Sequence, residues 1–385
     1  MYRDETHKDY LDPCDSRGLP ASSQRGEVLT RLEEMRRKDL PPSIIFSSMC
    51  TQPHPIAVRA HNIFLPTNLG DPGLFQGTAA LENEVISWFS TLFQCPDAGG
   101  CTTSGGTESN IQALSIAIRR SLHLKPDIRP NIIVPASAHF SFEKARDLLG
   151  FELRVAHEDN MRRMDPEHVS DQIDEHTCCI VGVAGSTEYG MVDPISDLAT
   201  LAKEHDIFFH VDAAFGGLVL PFLENAPLFD FSLEGVSSIC VDPHKMGMST
   251  IPAGVLLVRE QEYFDILSVD TPYLTKKTSF HLTGTRPGAP VASTWAVLHH
   301  LGFNGMQEIV HQCMENTHYL IEEMEAVGIM RAVTPDVNVA TFHPHMVPEP
   351  FIVSHTRDGD VRMIVMPHIT REQIDSYVEG VRGGL

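Results

Sequence analysis

The stretch Ile207-Phe-Phe-His-Val-Asp-Ala-Ala214 decides the fold. Its apolar residues run on without the polar alternation of a half-solvated strand, which predicts a strand buried on both faces. Such strands belong to mostly parallel sheets covered by helices on each side. Moving outward, the same rhythm recurs in Ile132-Ile-Val134, Cys179-Ile-Val-Gly-Val183, Ser238-Ile-Cys-Val241 and Gly254-Val-Leu-Leu-Val258. Ile111 to Ser121 and Leu198 to Glu204 fit helices between these runs. The reading is an α/β fold with a large doubly wound, mostly parallel sheet.

Further out the pattern changes. Leu81, Val85, Trp88, Phe89 and Leu92 form a helical stripe over Thr78 to Phe93. After Gly288, helices are expected over Val291 to Leu301 and Gly305 to Val327. Short strands at Val337–Phe342 and Val361–Val365 and a last helix from Arg371 to Val381 suggest a small C-terminal α+β domain. The expected division is therefore 1–50 (N-terminal arm and short helix), 51–288 (large domain) and 289–385 (small domain). Residues 1–25 read as a loose polar arm. Val28 to Leu40 reads as a short helix stopped by Pro41–Pro42, and Pro53 to Gly77, rich in Pro, Gly and Asn, as a long functional loop. Pro344, Pro348 and Pro350 forbid a helix over His343 to Pro350.

Composition narrows the function. Of 385 residues, 42% are hydrophobic and 21% charged, which fits a chain with a sizeable core. The 29 Lys and Arg against 51 Asp and Glu leave a net charge of −22, which excludes sequence-independent nucleic-acid binding and docking on anionic lipid. A small-molecule substrate is the natural partner. No run approaches the roughly 20 apolar residues of a membrane-spanning helix, and Met1 to Leu11 has no signal-peptide core. A soluble cytoplasmic protein is expected. The 8 cysteines are scattered without a CxxC pair, so neither a disulfide framework nor a structural zinc site is expected, and Cys178 and Cys179 read as buried thiols.

Four strand ends carry polar residues, where an open α/β sheet puts its chemistry. Thr103-Ser-Gly-Gly-Thr-Glu-Ser-Asn110 leads into a helix; Gly105 and Gly106 allow close backbone approach, and Ser104, Thr107 and the helix N-terminus favour an anion such as phosphate. Asp212 follows a buried strand and needs a cationic partner. Lys245, in Val241-Asp-Pro-His-Lys245, could lose its proton in a desolvated niche and act as a nucleophile or Schiff-base former. His139 follows the strand Ile132–Val134. Singly, these have ordinary readings as a helix cap, an ion pair, a surface lysine and a capped histidine. Together they match a phosphorylated aromatic aldehyde with a ring nitrogen to keep protonated, which is pyridoxal 5'-phosphate.

The chain resembles the group II pyridoxal-phosphate-dependent amino-acid decarboxylases, a family that includes glutamate and aromatic amino-acid decarboxylases and sphingosine-phosphate lyase. Within it, the chain most resembles the archaeal L-tyrosine/L-aspartate decarboxylase subgroup. The resemblance is carried by Asn68-Leu-Gly-Asp-Pro-Gly-Leu-Phe75, Ser104-Gly-Gly-Thr-Glu108, Ala138-His-Phe-Ser-Phe-Glu-Lys144, His210-Val-Asp-Ala-Ala-Phe-Gly-Gly217, Asp242-Pro-His-Lys-Met246, Gly284-Thr-Arg286 and Val365-Met-Pro-His-Ile369. These stretches span about residues 45–385.

The resemblance implies a fold type I enzyme, a homodimer with its site at the interface, and decarboxylation of an L-amino acid. The reactions would be L-tyrosine to tyramine, for methanofuran biosynthesis, and/or L-aspartate to β-alanine, for coenzyme A biosynthesis. By the same resemblance Lys245 carries the cofactor, Asp212 pairs with its ring nitrogen, His139 stacks on one ring face and Ala214 packs on the other. Gly106, Thr107 and His244 bind phosphate, and Thr187 supports His139 or the ring oxygen. Tyr273 is the candidate proton donor to Cα. Arg286 reaches a partner's phosphate or fixes a loop. Arg362 reads as a surface strand arginine, with substrate-carboxylate binding as its other reading.

Rival readings are a carbon–carbon lyase of the sphingosine-phosphate lyase type, a transaminase, a metal enzyme using His210, Asp212 and His244, and a non-catalytic scaffold. The first lacks a visible second phosphate site, the third leaves Lys245 unexplained, and the last would not need that lysine.

Overall fold

A computed structural model describes residues 23–50 and 52–384; most of the expected N-terminal arm lies outside the described residues. The chain divides into two compact units, one ending at Pro41 and one beginning at Pro42. The first contains α1 (Arg25–Arg36), whose start is set by a capping box in which Gln24 and Glu27 exchange bonds, and which buries no residue.

The second unit begins with α2 (Pro55–Phe64), a helix inside the region read as loop. Pro55 causes no break because it sits in the first helical turn, where its missing N–H costs nothing, and His54 Nδ1 accepts from the Ile56 N–H at 3.3 Å. The irregular stretch shrinks to the residues between α2 and α3 (Gln76–Leu92). Then follow β1 (Gly99–Thr103), α4 (Gly106–Leu124), β2 (Asn131–Pro135), α5 (Ser141–Leu149), β3 (Glu152–Ala156), α6 (Pro166–Gln172), β4 (Thr177–Val183), α7 (Ile195–Glu204), β5 (Phe208–Asp212), β6 (Ser238–Val241) and β7 (Gly254–Val258). A small hairpin of β8 (Val269–Asp270) and β9 (Thr278–Ser279) precedes α8 (Ala289–Ala326). The chain ends in β10 (Val339–Phe342), β11 (Ser354–His355), β12 (Val361–Ile364) and α9 (Arg371–Gly384). The two helices expected after Gly288 are one helix interrupted at Gly302, whose φ of 59° and ψ of −168° leave helical space. No helix among the described residues is long and apolar enough to cross a membrane.

The main sheet has the order β1-β7-β6-β5-β4-β2-β3. Strands β2 to β6 pair in parallel, and β7 is antiparallel to both β6 and β1. Residue alternation sorts β5 onto two faces. Phe209 and Val211 enter a core with Leu198 and Ala199 of α7, whereas Phe208 enters a core with Ile111 and Leu114 of α4. His210 and Asp212 share the parity of Phe208, so they face α4. This parity builds the site. The second sheet, β10-β12-β11, packs with α9 and Phe46 around Phe342, Met363 and Tyr377.

Candidate active site

The segments that follow β1, β2, β4, β5 and β6 converge on one cavity of about 290 Å³. Lys245, Asp212, Ala214, His139, Gly106, Thr107, Thr187 and His244 all line it. Tyr273 does not. It stands on the β8–β9 hairpin and is 83% exposed.

One end of the cavity is shaped for an anion. Gly105 adopts φ 140°, ψ 178°, a conformation open essentially to glycine alone, and turns the chain into α4. A Cβ on Gly106 would lie 3.2 Å from Ala214 Cβ and 3.2 Å from Asp242 Oδ2, so a side chain there would fill the cradle. The first turn of α4 presents unpaired N–H groups and the positive end of the helix dipole. His244 closes this end, with Nδ1 against the Ala253 carbonyl.

Lys245 Nζ lies 3.1 Å from Asp242 Oδ2. Burial pulls its pKa down, but the charges of Asp242 and Asp212 outweigh burial and leave it above the ordinary lysine value. The neutral amine expected from desolvation alone is therefore not what this arrangement favours: two carboxylates hold an ammonium. Asp242 lines the cavity, is buried, and its Oδ1 has no hydrogen-bond partner, an uncompensated acceptor.

Asp212 is buried at the end of β5. Its Oδ2 accepts from Asn110 Nδ2 at 2.9 Å and its Oδ1 from the Ala214 N–H at 3.1 Å. Burial raises its pKa, but the charge of Lys245 and the Asn110 bond bring it below the ordinary value. A carboxylate thus points into the cavity fully ionised. Burial holds the pKa of His139 down, partly opposed by Asp212, so its ring is neutral near pH 7. The ring lies against Phe140, 3.9 Å between centroids.

Two arginines of the small sheet bear on the cavity's outer loops. Arg362 is not a surface side chain. Its guanidinium donates to the Thr187 carbonyl at 2.8 Å, the Ser47 carbonyl at 2.6 Å and Ser354 Oγ at 2.7 Å. Arg357 donates to Glu188 Oε1 at 2.8 Å and to the carbonyls of Ala136 and Ala138, which flank the His139 segment. Arg286 is 5% exposed and acts within its own chain. It pairs with Glu82 at 2.6 Å and donates to the carbonyls of Thr102 and Leu69, pinning the Asn68 loop against β1.

Sequence reasoning passed over Asn110, Ser137 and Asp242, all of which line the cavity. Asp242 stood in the quoted motif, and its place three residues before Lys245 was the available signal. Ser137 is buried with an unpartnered hydroxyl, and no sequence pattern marks it. The metal grouping of His210, Asp212 and His244 is not assembled: the His210 ring is bonded to Ser238 and Asn110, and no group of three or more potential metal-binding side chains occurs among the described residues.

The residues fit pyridoxal phosphate. A glycine cradle at a helix N-terminus suits its phosphate, an ionised buried carboxylate suits its ring nitrogen, and an orphaned acceptor beside a buried lysine marks where a polar group belongs. Residues 77–341 match the model of the pyridoxal-dependent decarboxylase conserved domain. A Methanospirillum hungatei protein named "Probable L-tyrosine/L-aspartate decarboxylase" is 57% identical over 91% of this chain and 94% of its own length. An Archaeoglobus fulgidus protein named "Probable L-aspartate decarboxylase" is 46% identical over 92% of this chain and 98% of its own. Among solved structures, a Burkholderia pseudomallei sphingosine-1-phosphate lyase superposes with a TM-score of 0.86 at 26% identity, covering 100% of this chain and 96% of that one. A Lactobacillus brevis glutamate decarboxylase superposes with a TM-score of 0.86 at 20% identity, covering 95% and 93%, and shares the fold. Fold, cavity and sequence agree: the chain belongs to the pyridoxal-dependent decarboxylase family, with the fold type I architecture and pyridoxal phosphate as its cofactor.

Proposed function

We propose that the protein decarboxylates L-tyrosine, L-aspartate or both, releasing tyramine or β-alanine. The observation that carries the reading is the meeting of Lys245, Asp212 and the Gly105–Gly106 cradle in one cavity. The names of the archaeal relatives support the substrate. When bound, pyridoxal phosphate supplies an electron sink for the pair left on Cα as CO₂ departs. Lys245 would hold the cofactor's aldehyde carbon and free it to the incoming amine. Asp212 would keep the ring nitrogen protonated. Gly106, Thr107 and His244 would fix the phosphate. Thr187 would steady His139, and His139 and Ala214 would confine the ring from its two faces. Orientation would then select the bond that breaks, the part of the cavity's residues being to hold the substrate so that its carboxylate is the group that leaves.

Tyr273 is the proposed proton donor to Cα. Its exposure, and its absence from the lining of its own cavity, support a homodimer in which the β8–β9 hairpin completes a partner's site. The working division is 51–288 for cofactor binding and 289–385 for covering the site, with Arg357 and Arg362 as ties between them.

The test is to incubate cofactor-loaded protein separately with L-tyrosine, L-aspartate and L-glutamate and to measure CO₂ and amine. Release of CO₂ with tyramine or β-alanine is expected. Absence of CO₂ from all three would overturn the reading. An aldehyde released from a phosphorylated amino alcohol would instead identify a carbon–carbon lyase, which the likeness to the Burkholderia structure makes the second candidate.

A further inference from the structure

From Asn110, which lines the cavity beside Asp212, a row of buried polar side chains runs to His210 and Ser238. The β5–β6 register places Ser238 beside His210 and Cys240 beside Asp212. Asn110 lies over them from α4. Asn110, His210 and Ser238 are each at most 1% exposed. Asn110 Nδ2 lies 2.9 Å from Asp212 Oδ2, and Asn110 Oδ1 lies 2.9 Å from His210 Nε2. His210 Nδ1 lies 2.8 Å from Ser238 Oγ.

The direction of every bond follows from one end. An ionised Asp212 only accepts, so the atom of Asn110 that faces it must be the amide nitrogen. Asn110 Oδ1 therefore faces His210, which must carry its proton on Nε2 and donate. Nδ1 is then an acceptor, and the Ser238 hydroxyl donates to it. Cys240 Sγ lies 3.2 Å from Asn110 Oδ1 and 3.4 Å from Asp212 Oδ1, and its single S–H serves one or the other, both acceptors in this arrangement. A flipped Asn110 amide would set a carbonyl against a carboxylate. Burial drives the His210 pKa down to about 4, so the ring is neutral, as the row requires. Packing alone does not call for this arrangement, because apolar side chains of similar volume commonly serve such positions at least as well.

We propose that Asn110 and His210 are positioning residues for Asp212: a one-way row of donors from Ser238 through His210 and Asn110 fixes the carboxylate's orientation and keeps it ionised toward the cofactor's ring nitrogen. The inference rests on the reading of Asp212 as the partner of that nitrogen. His210 acts only through Asn110, and Asn110 touches Asp212 directly. Donors along such a row polarise one another, so the outermost hydroxyl strengthens the innermost bond.

The experiment titrates the cofactor-free protein with pyridoxal phosphate and follows both affinity and the visible absorption band. Loss of a hydrogen bond to a charged group predicts that Asn110→Leu binds the cofactor about tenfold more weakly, and His210→Leu, which leaves the buried Asn110 Oδ1 without its ring donor, weakens binding in the same direction, both with a shifted band. His210→Gln, which can still donate to Asn110 Oδ1, should restore the wild-type band. Ser238→Ala should give a smaller shift in the same direction. Wild-type affinity and band in His210→Leu would overturn the proposal, as would His210→Gln behaving no better than His210→Leu. Should circular dichroism show His210→Leu unfolded, Ser238→Ala decides: a shifted band supports the row and an unchanged one overturns it. Asp212→Asn separates the two levels. If its titration and band match wild type, the reading of Asp212 fails and takes this proposal with it. If Asp212→Asn is impaired while the row variants match wild type, only the row is overturned.

Discussion

The floor of the cavity and the hairpin that carries Tyr273 are built in opposite ways. On the floor, Lys245 and Asp212 sit at strand ends under α4, and their charged atoms are held by Asp242, Asn110 and backbone N–H groups. The hairpin has strands of two residues each and is tied down chiefly where Thr275 donates its N–H to Asp71 at 3.1 Å. The residues of one region meet in a single cavity. The other offers Tyr273 outward. On the proposed roles, the difference makes cofactor binding and proton delivery separable, and the following changes probe the two regions and the anchor between them.

The largest effect is expected on the floor. Lys245→Ala should lower turnover by about 10³-fold or more and abolish the absorption band of the lysine-bound cofactor, read by spectrophotometry and CO₂ release. Next comes the anchor between the regions. Arg286→Leu leaves Glu82 buried and unpaired and should cost about 3–5 kcal/mol of stability in a denaturant titration. Although burial raises the Glu82 pKa, its bonds to Arg286 and Thr102 bring it below the usual value. Its contribution is therefore present above the unfolded carboxyl value and lost as pH falls through the folded one. Glu82→Gln should flatten the acid side of the stability profile below about pH 4.5.

Tyr273→Phe should slow turnover about 10²-fold with cofactor affinity unchanged. Mixing it with Lys245→Ala sharpens the comparison. If the hairpin serves a partner, mixed dimers regain one intact site and about a quarter of wild-type activity returns; if it serves its own chain, none does. The smallest effect is expected at the cradle. Gly106→Ala meets Ala214 and Asp242 at 3.2 Å and should weaken cofactor binding about tenfold while the fold stays intact, measured by cofactor titration and circular dichroism.

Much of the sheet could be read from sequence because β2, β4, β5, β6 and β7 are nearly continuous apolar runs. β1 and β3 could not. β1 begins Gly99-Gly100, residues that disfavour strands but are needed here, since a Cβ on Gly100 would meet Ile86 and Leu257 at 2.6 Å. β3, Glu152-Leu-Arg-Val-Ala156, is an edge strand with only its last residue buried, and its polar residues hid it. Residues that line the cavity at strand ends were legible as local motifs. The Asn110–His210 row was not, because its partners are 100 residues apart and meet only through β5 parity and the placing of α4 over the sheet. Arg362 was misread for the same reason: two of its acceptors, the Ser47 and Thr187 carbonyls, lie on segments distant in sequence.

That last side chain has a consequence for how the molecule is made. Arg362 joins the carbonyls of Ser47 and Thr187 to Ser354, so one residue secures segments that left the ribosome 315 and 175 residues before it. The seven strands of the main sheet can pair while translation is still under way, but the segment around Thr187 waits for this guanidinium. A nascent chain stalled ahead of residue 362 would therefore carry Lys245 without the finished wall around it, and acquire that wall only once residue 362 has emerged.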